Sequence, residues 1–105
     1  MPTVKVRYFG RLRELLSVKS EEYIVENGAT LRDLLLRYIP ERYKEVSKAW
    51  IETIFRTAKG EIVLYKDGTP LLKDYLLLIG GRSHDLNYEL KEGDEVAVLP
   101  PFGGG

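Results

Sequence analysis

The sequence predicts one α+β domain in which a small mixed sheet packs on a single main helix. Apolar and polar residues alternate near both ends of the chain, at residues 4–9 and 95–99, which is typical of half-buried strands. Between these segments lies one amphipathic helical pattern that begins at Thr30. A length of 105 residues corresponds to a single domain, so one sheet and one helical layer should enclose one core.

The first part of the chain predicts a strand, a short helix and a second strand. Residues 4–9 form the first strand, which Gly10 ends. Residues 11–16 form the short helix, and residues 21–26 form the second strand. The side chains expected to face the core are Val4, Val6, Tyr8, Leu12, Leu15 and Leu16.

The main helix has a clear start in the sequence. Thr30 is a good N-cap residue, and Asp33 three residues later favours a capping box. Pro40 is expected to end this helix because proline lacks the N–H donor that the helix interior needs. A second helical stretch is expected at residues 41–50. Apolar side chains follow the cap at helical spacing, at Leu31, Leu34, Leu35 and Tyr38.

The middle of the chain predicts an extra hairpin and a buried strand. Residues 53–56 and 61–65 are β-prone and flank a Lys-Gly pair at residues 59–60, a plausible turn. Residues 76–79 form a continuous apolar run before a glycine pair at residues 80–81. We expect this run to be a well-buried strand, followed by a tight turn.

Composition and charge restrict the class of protein. The 16 basic residues balance the 16 acidic ones, which argues against a dedicated nucleic-acid binder. There is no cysteine and one histidine, His84, so disulfides, thiolate nucleophiles, Cys-based zinc sites and His-rich metal sites are not expected. No apolar run is long enough for a membrane span, and residues 1–9 lack the apolar core of a signal peptide. We expect a cytoplasmic protein without a membrane partner.

The sequence ends in a segment that is rich in proline and glycine. Two prolines, which cannot donate ladder hydrogen bonds, favour an extended path, and three glycines follow after one phenylalanine. Six residues beyond Leu99 can reach about 20 Å when extended. We therefore divide the chain into a folded domain at residues 1–99 and a flexible tail at residues 100–105. The tail residues are Pro100, Pro101, Phe102, Gly103, Gly104 and Gly105.

The α-carboxylate of Gly105 is the reactive group that such a tail can present. A carboxylate is ionised at neutral pH and resists nucleophiles until a partner enzyme activates it, for example by adenylation. Glycine lets the backbone enter a narrow channel without Cβ clashes. The simpler interpretation is an inert end, because glycine-rich termini are usually frayed.

Three stretches of the sequence resemble the ubiquitin-like β-grasp sulfur carriers, most closely the small subunits of molybdopterin synthase. These stretches are residues 6–15, residues 28–35 and residues 90–101, and the last, which leads to the terminal glycines, is the specific one. The resemblance implies a β-grasp fold in which the extra hairpin belongs to an insertion at about residues 50–75. Phe102 and Gly103 stand where the family usually has small residues.

The resemblance also implies a mechanism. In that family an E1-like enzyme uses ATP to adenylate the terminal glycine, here Gly105, and a sulfur donor protein then supplies the sulfur of a thiocarboxylate. The large subunit of molybdopterin synthase accepts the tail, and the sulfur passes to the pterin precursor of the molybdenum or tungsten cofactor. The domain itself would bind no cofactor and would not be a catalyst alone.

The same resemblance implies a docking face on the sheet beside the tail. Phe9, Ala97 and Leu99 fall on the face opposite Val6 and Val96, so they should point outward and contact the partner. The alternative is that the insertion covers this face. Other functions stay open: a protein modifier joined through its last glycine to lysines, a sulfur carrier for thiazole or tRNA thiolation, or an interaction domain with an inert tail.

Overall fold

The computed structural model describes residues 1–101 and shows a mixed sheet packed against helices. In chain order the elements are β1 (Thr3–Tyr8), α1 (Arg11–Leu16), β2 (Ser20–Ile24), α2 (residues 31–42), α3 (Ser47–Ile54), β3 (Thr57–Ala58), β4 (Glu61–Ile62), β5 (Leu76–Ile79), β6 (Arg82–Ser83) and β7 (Glu95–Leu99). Five strands form the mixed sheet in the order β2-β1-β7-β5-β6, and a separate two-stranded sheet pairs β3 with β4. The prediction of an α+β domain with a mixed sheet and an extra hairpin is therefore confirmed.

The two outermost segments of the sequence lie side by side at the centre of the sheet. β1 and β7 run parallel, with Val6 opposite Val96 and Tyr8 opposite Val98, whereas the other strand pairs are antiparallel. All these side chains are fully buried under the helices, as the alternation of the sequence predicts. The opposite face of the sheet, which we call the outer face, carries side chains that are only partly buried, among them Leu78, Ala97 and Leu99.

The main helix α2 begins at the predicted capping box. The backbone N–H of Asp33 donates to Thr30 Oγ1 at 3.3 Å, and the backbone N–H of Thr30 donates to Asp33 Oδ2 at 2.9 Å. Two more N–H groups of the first turn donate to carbonyl oxygens of the loop before β7, Leu31 to Tyr88 and Arg32 to Leu86, each at 3.0 Å. The cap and the loop thus satisfy the donors that a helix start leaves unpaired.

Pro40 does not end α2, so that expectation was wrong. The helix widens into a π-helical segment at Leu34–Tyr38 and continues through Ile39–Arg42 with Pro40 buried inside it. In the π-helical segment an N–H donates to the carbonyl oxygen five residues earlier, as Ile39 does to Leu34. Proline has no N–H, so the carbonyl oxygen five residues before it is left without a backbone donor. The indole N–H of Trp50 donates to the Leu35 carbonyl oxygen, five residues before the proline, at 2.9 Å inside the core. A side chain from α3 therefore replaces a backbone donor.

The segment after α2 is helical, but its limits differ from the prediction of residues 41–50. A short 3₁₀ turn at Lys44–Val46 precedes α3, and α3 continues to Ile54 because Trp50 and Ile54 both enter the core. The β-prone run expected at residues 53–56 consequently starts later, at Thr57. Lys59 and Gly60 have φ angles of 55° and 83°, the signs that a two-residue hairpin turn requires.

The strand β5 is buried on one face only, which corrects the expectation of a well-buried strand. Leu77 and Ile79 lie in the core, whereas Leu76 is 44% exposed and Leu78 is half-buried. The run is apolar throughout because its second face belongs to the outer face of the sheet. Apolar side chains on the outer face thus extend from β7 onto β5.

Three tyrosine hydroxyls converge on one carboxylate and form a tyrosine–glutamate cluster. Tyr8 and Tyr23 donate to Glu21 Oε2 at 2.8 and 2.7 Å, and Tyr43 donates to Glu21 Oε1 at 2.7 Å. The guanidinium of Arg42 lies 3.3 Å from Oε1 and 3.7 Å from the centre of the Tyr23 ring. The cluster ties β1 and β2 to the segment that follows α2.

The cluster requires Glu21 to be ionised. Burial opposes the charge, but the three hydrogen bonds and Arg42 outweigh it and hold the pKa of Glu21 below its ordinary value. Burial, together with Glu21, raises the pKa of Tyr43 to about 12, so this phenol keeps its proton. Burial also raises the pKa of Tyr8 far above its ordinary value.

We expect Glu21→Gln to lower the free energy of unfolding at pH 7 by about 1–3 kcal/mol, because it removes a charge-assisted acceptor. A lowered carboxyl pKa contributes stability above the unfolded-state pKa of about 4.3 and loses it as the pH falls through the folded-state pKa. The difference in the free energy of unfolding between variant and wild type, measured by urea unfolding, should therefore shrink below about pH 4. Glu22→Gln, at an exposed neighbour, is the control, and an equal loss there would contradict the role of Glu21.

We expect Trp50→Phe to destabilise the domain by about 2–4 kcal/mol, because it leaves the Leu35 carbonyl oxygen buried without a donor and opens a small cavity. In a Pro40→Ala background residue 40 regains an N–H, so the cost of Trp50→Phe should fall by about 1 kcal/mol. A double-mutant cycle by chemical denaturation measures this coupling. If the two substitutions change the free energy of unfolding additively, the indole N–H does not replace the backbone donor that Pro40 lacks.

Candidate functional site

The structure places the start of the tail at the end of the central strand β7. β7 ends at Leu99, Pro100 is exposed, and Pro101 is half-buried against the body of the domain. Because β7 is internal, the chain leaves the sheet from its middle rather than from an edge. The predicted site residues Phe102, Gly103, Gly104 and Gly105 lie outside the described residues, so their roles stay predictions.

The outer face of the sheet beside this exit is apolar. Ala97 and Leu99 of β7 alternate with buried Val96 and Val98, so they point to the outer face, and both are half-buried. Phe9, which follows β1, is also half-buried and lines a groove of about 240 Å³ together with Ala97. The structure thus brings these three predicted docking residues to one region, whereas their contact with a partner stays a prediction.

Two further apolar side chains on this face were missed by sequence reasoning. Antiparallel pairing sets Leu78 opposite Ala97 and Leu76 opposite Leu99. Side chains of a strand alternate between its two faces, so two residues of the run at residues 76–79 had to face outward. Because the run is apolar throughout, the sequence does not show which two these are. We call the five residues the outer apolar patch: Phe9, Leu76, Leu78, Ala97 and Leu99.

Charged residues border the outer apolar patch on the side away from the tail. Arg7 Nη1 lies 3.2 Å from Glu95 Oε1, and both side chains are about half exposed, at 54% and 48%. A pair this exposed contributes little to stability. Both charged groups are therefore partly accessible to solvent at this border.

The turn after β1 positions both Phe9 and the tail exit. Gly10 has φ 54° and ψ −125°, a backbone conformation that favours glycine, and a Cβ built there would lie 4.0 Å from Pro100 Cγ. The Nε of Arg13 donates to the Tyr8 carbonyl oxygen at 3.3 Å, and its guanidinium lies 5.7 Å from the centre of the Phe9 ring. The turn and α1 thus hold Phe9 next to the start of the tail.

A larger concavity of about 590 Å³ lies beside the tail exit, and we call it the tail-exit cleft. It is bordered by the tail prolines, the turn after β1, one side of α3 and the segment before β5. The lining residues are Gly10, Arg11, Ala49, Glu52, Thr53, Lys73, Tyr75, Pro100 and Pro101. The start of the tail therefore has a charged cleft at its side in addition to the outer apolar patch near its base.

The charges in the tail-exit cleft are predominantly basic. Lys73 is exposed, and its Nζ donates to the Glu52 carbonyl oxygen at 2.8 Å, which holds the ammonium group at the cleft. Burial raises the pKa of the Tyr75 phenol, and the nearby Arg11 charge offsets part of this effect. Among residues 1–101, Arg11, Glu52 and Lys73 are in no ion pair within 4.0 Å.

Nothing within residues 1–101 gathers three or more histidine, aspartate or glutamate side chains into a metal-binding group. His84 is half-buried, and its ring lies 4.4 Å from the centre of the Tyr88 ring. Over the same residues, no helix combines the length and the apolar character needed to span a bilayer.

Comparison with known families and proteins gives concordant matches. The model of the ThiS family matches residues 6–105. A molybdopterin synthase sulfur carrier subunit from Chlamydomonas reinhardtii is 28% identical over 102 residues, which cover 97% of this chain and 98% of that protein. These matches extend over the whole domain, including the segment at residues 50–75.

Two solved structures align over nearly the whole chain. A putative molybdopterin converting factor, subunit 1, from Pyrococcus furiosus is 33% identical with a TM-score of 0.67, and the alignment covers 96% of this chain and 99% of that one. The small archaeal modifier protein 1 from Methanosarcina acetivorans is 26% identical with a TM-score of 0.70, and the alignment covers 100% and 98%. The β-grasp fold expected from the sequence resemblance is confirmed.

We expect Leu76→Asp to change the free energy of unfolding by about 1 kcal/mol or less, because its side chain lies on the outer face. Leu77→Asp, one residue later, should cost at least about 4 kcal/mol, because it buries an unpaired carboxylate in the core. Thermal or urea unfolding of the two variants measures the contrast. Equal destabilisation would show that β5 is buried on both faces.

Proposed function

The chain belongs to the ThiS family and is a homologue of the molybdopterin synthase sulfur carrier subunit, and from this membership we propose that it is the sulfur-carrying small subunit of a molybdopterin synthase. The reactive group in this proposal is the α-carboxylate of Gly105. The observation that carries the proposal is the position of β7, a central strand that ends at Leu99 and is followed in the sequence by two prolines, one phenylalanine and three glycines.

The proposed chemistry has two steps, both performed in a partner's active site. A carboxylate oxygen of Gly105 attacks the α-phosphorus of ATP, and pyrophosphate leaves. Sulfur at the oxidation level of hydrosulfide, supplied by a sulfur donor protein, then attacks the carbonyl carbon and displaces AMP. The product is a thiocarboxylate, whose sulfur is the group that is carried. In this scheme ATP is a substrate of the activating enzyme, and the domain itself holds no cofactor.

The residue types of the tail support the proposal that the chemistry takes place in a partner's active site. Pro100 and Pro101 cannot extend the sheet ladder, so they direct the chain away from β7. Gly103, Gly104 and Gly105 carry no side chains that would prevent entry into a narrow channel. The folded domain would stay outside the partner and act as a handle rather than as a catalyst, in the cytoplasm where we expect these partners.

The outer apolar patch is the docking surface in this proposal. Its side chains continue the apolar character of β7 onto β5 and lie where the tail begins. Apolar contact around a tail gives affinity without restricting the tail itself, and the charged border beside it orients the partner. We propose that the large subunit of molybdopterin synthase and an E1-like activating enzyme use this face in turn, since both must reach the same tail.

We expect the chain, incubated with the E1-like enzyme of its host, ATP and sodium sulfide, to gain the mass that corresponds to replacement of one oxygen by sulfur. Intact-mass spectrometry locates this change at the C-terminus. A variant lacking Gly104 and Gly105 keeps residues 1–103 and is the control, which should show neither adenylate nor thiocarboxylate. Wild-type protein that forms no adenylate under these conditions would refute the carrier function.

A protein modifier is the second candidate function, and one observation favours it. The Methanosarcina acetivorans protein, which aligns over the whole chain, is described as a small archaeal modifier protein. In this alternative the activated Gly105 forms an amide with lysines of other proteins. Conjugates in host extracts that resist denaturation and disappear when Gly104 and Gly105 are deleted would identify this activity. Transfer of the carried sulfur into a thiazole ring or onto tRNA would instead identify another carrier pathway.

A further inference from the structure

We infer that the tail-exit cleft binds an acidic segment of the enzyme that activates Gly105, and that this contact selects which activating enzyme accepts the chain. The inference rests on the proposed function and adds a second contact surface to it. The outer apolar patch lies on the sheet, whereas the tail-exit cleft is formed by α3, the turn after β1 and the segment before β5.

The cleft lies beside the first residues of the tail, close to where an enzyme that holds the tail has to approach. Pro100 and Pro101 form one border of the cleft, and they are also the first residues of the tail. An active site that encloses the last glycines must therefore have its entrance close to these prolines. A partner surface around that entrance can therefore contact the cleft.

The charge of the cleft predicts the chemistry of the partner. Arg11 and Lys73 contribute two positive charges, and Glu52 is the single acidic residue among the lining residues. Within residues 1–101 none of the three is in an ion pair, and two positive charges less one negative charge leave the lining residues with a net charge of +1. The hydrogen bond from Lys73 Nζ to the Glu52 carbonyl oxygen holds the ammonium in place and reduces the entropy that a salt bridge with the partner would cost.

The size of the cleft favours a peptide segment over a small anion. A volume of about 590 Å³ is far larger than one carboxylate or phosphate requires, and the lining includes apolar as well as charged groups. Ala49, Thr53 and Tyr75 offer surface for the chain that carries the acidic side chain. We therefore commit to an aspartate- or glutamate-containing loop of the activating enzyme as the occupant.

The cleft also gives a function to the long middle of the sequence. Glu52, Thr53, Lys73 and Tyr75 all lie within residues 50–75, the segment that we expect to be an insertion and over which the family model also matches. This segment supplies Glu52 and Lys73, whereas Arg11 and the two prolines come from the ends of the chain. An activating enzyme that lacks the acidic segment should still reach the tail but bind the domain less tightly.

The test is the dependence of tail adenylation on the concentration of the carrier, measured as pyrophosphate release with the host's activating enzyme. We expect Lys73→Glu to raise KM by about three- to tenfold with little change in kcat, as for reversal of a charge at an interface rim. Lys66→Glu makes the same change at an exposed lysine outside the cleft and should leave KM near the wild-type value. Glu52→Gln removes the one acidic residue and should lower KM.

The expected changes in KM are opposite for Lys73→Glu and Glu52→Gln. They separate a binding role from a structural one, because a damaged fold would raise KM in both variants. Equal KM values for Lys73→Glu and Lys66→Glu, with normal turnover of the wild type, would overturn the inference and leave the proposed function intact. No turnover of the wild type would instead refute the proposed function. Inorganic phosphate that shifts the NMR signals of Arg11 and Lys73 without competing against the enzyme would identify a small-anion site only, and would also overturn the inference.

Discussion

The parallel pairing of β1 with β7 is the constraint from which the rest of this domain follows. Parallel neighbours cannot be joined by a tight turn, so the whole intervening chain has to cross over the sheet before β7 can enter its place. The crossover carries the helices over one face and buries Val6, Tyr8, Val96 and Val98. The same pairing brings the turn at Gly10 within contact distance of Pro100, although the two residues are at opposite ends of the sequence.

This arrangement gives the tail exit two different surroundings. The outer apolar patch lies on the sheet face opposite the helices, and in the proposed function it binds a partner mainly through the removal of apolar area from water. The tail-exit cleft lies beside α3 and carries Arg11, Glu52 and Lys73, and in our further inference these charges mainly set the choice of partner and the rate of encounter. Such a division suits the hand-over between enzymes that we propose, because charges discriminate between partners more than apolar contact does.

Polar interactions inside the core attach the longer middle segment to the domain. Trp50 uses its indole N–H to satisfy the Leu35 carbonyl oxygen in the helix that contains Pro40, so α3 and α2 depend on each other. The cluster around Glu21 similarly fastens Tyr43 to β1 and β2. Over residues 1–101, every buried side-chain nitrogen or oxygen has a hydrogen-bond partner, as a well-defined core requires. α3 can therefore hold its side of the tail-exit cleft in a fixed position.

The sequence by itself determined the parts of this protein that depend on local rules. Alternation identified β1 and β7, the Thr30–Asp33 pair identified the start of α2, and the order of strands and helices predicted the α+β class. The outward position of Ala97 and Leu99 followed from the same alternation. Only the tertiary structure decided that α2 continues through Pro40, because the missing donor is compensated by a tryptophan from another helix. Likewise, only strand pairing showed that Leu76 and Leu78 belong to the outer apolar patch. Only packing brought Arg11 and Lys73 to one cleft. Local sequence patterns cannot predict such contacts, because they form between residues that are distant in the sequence.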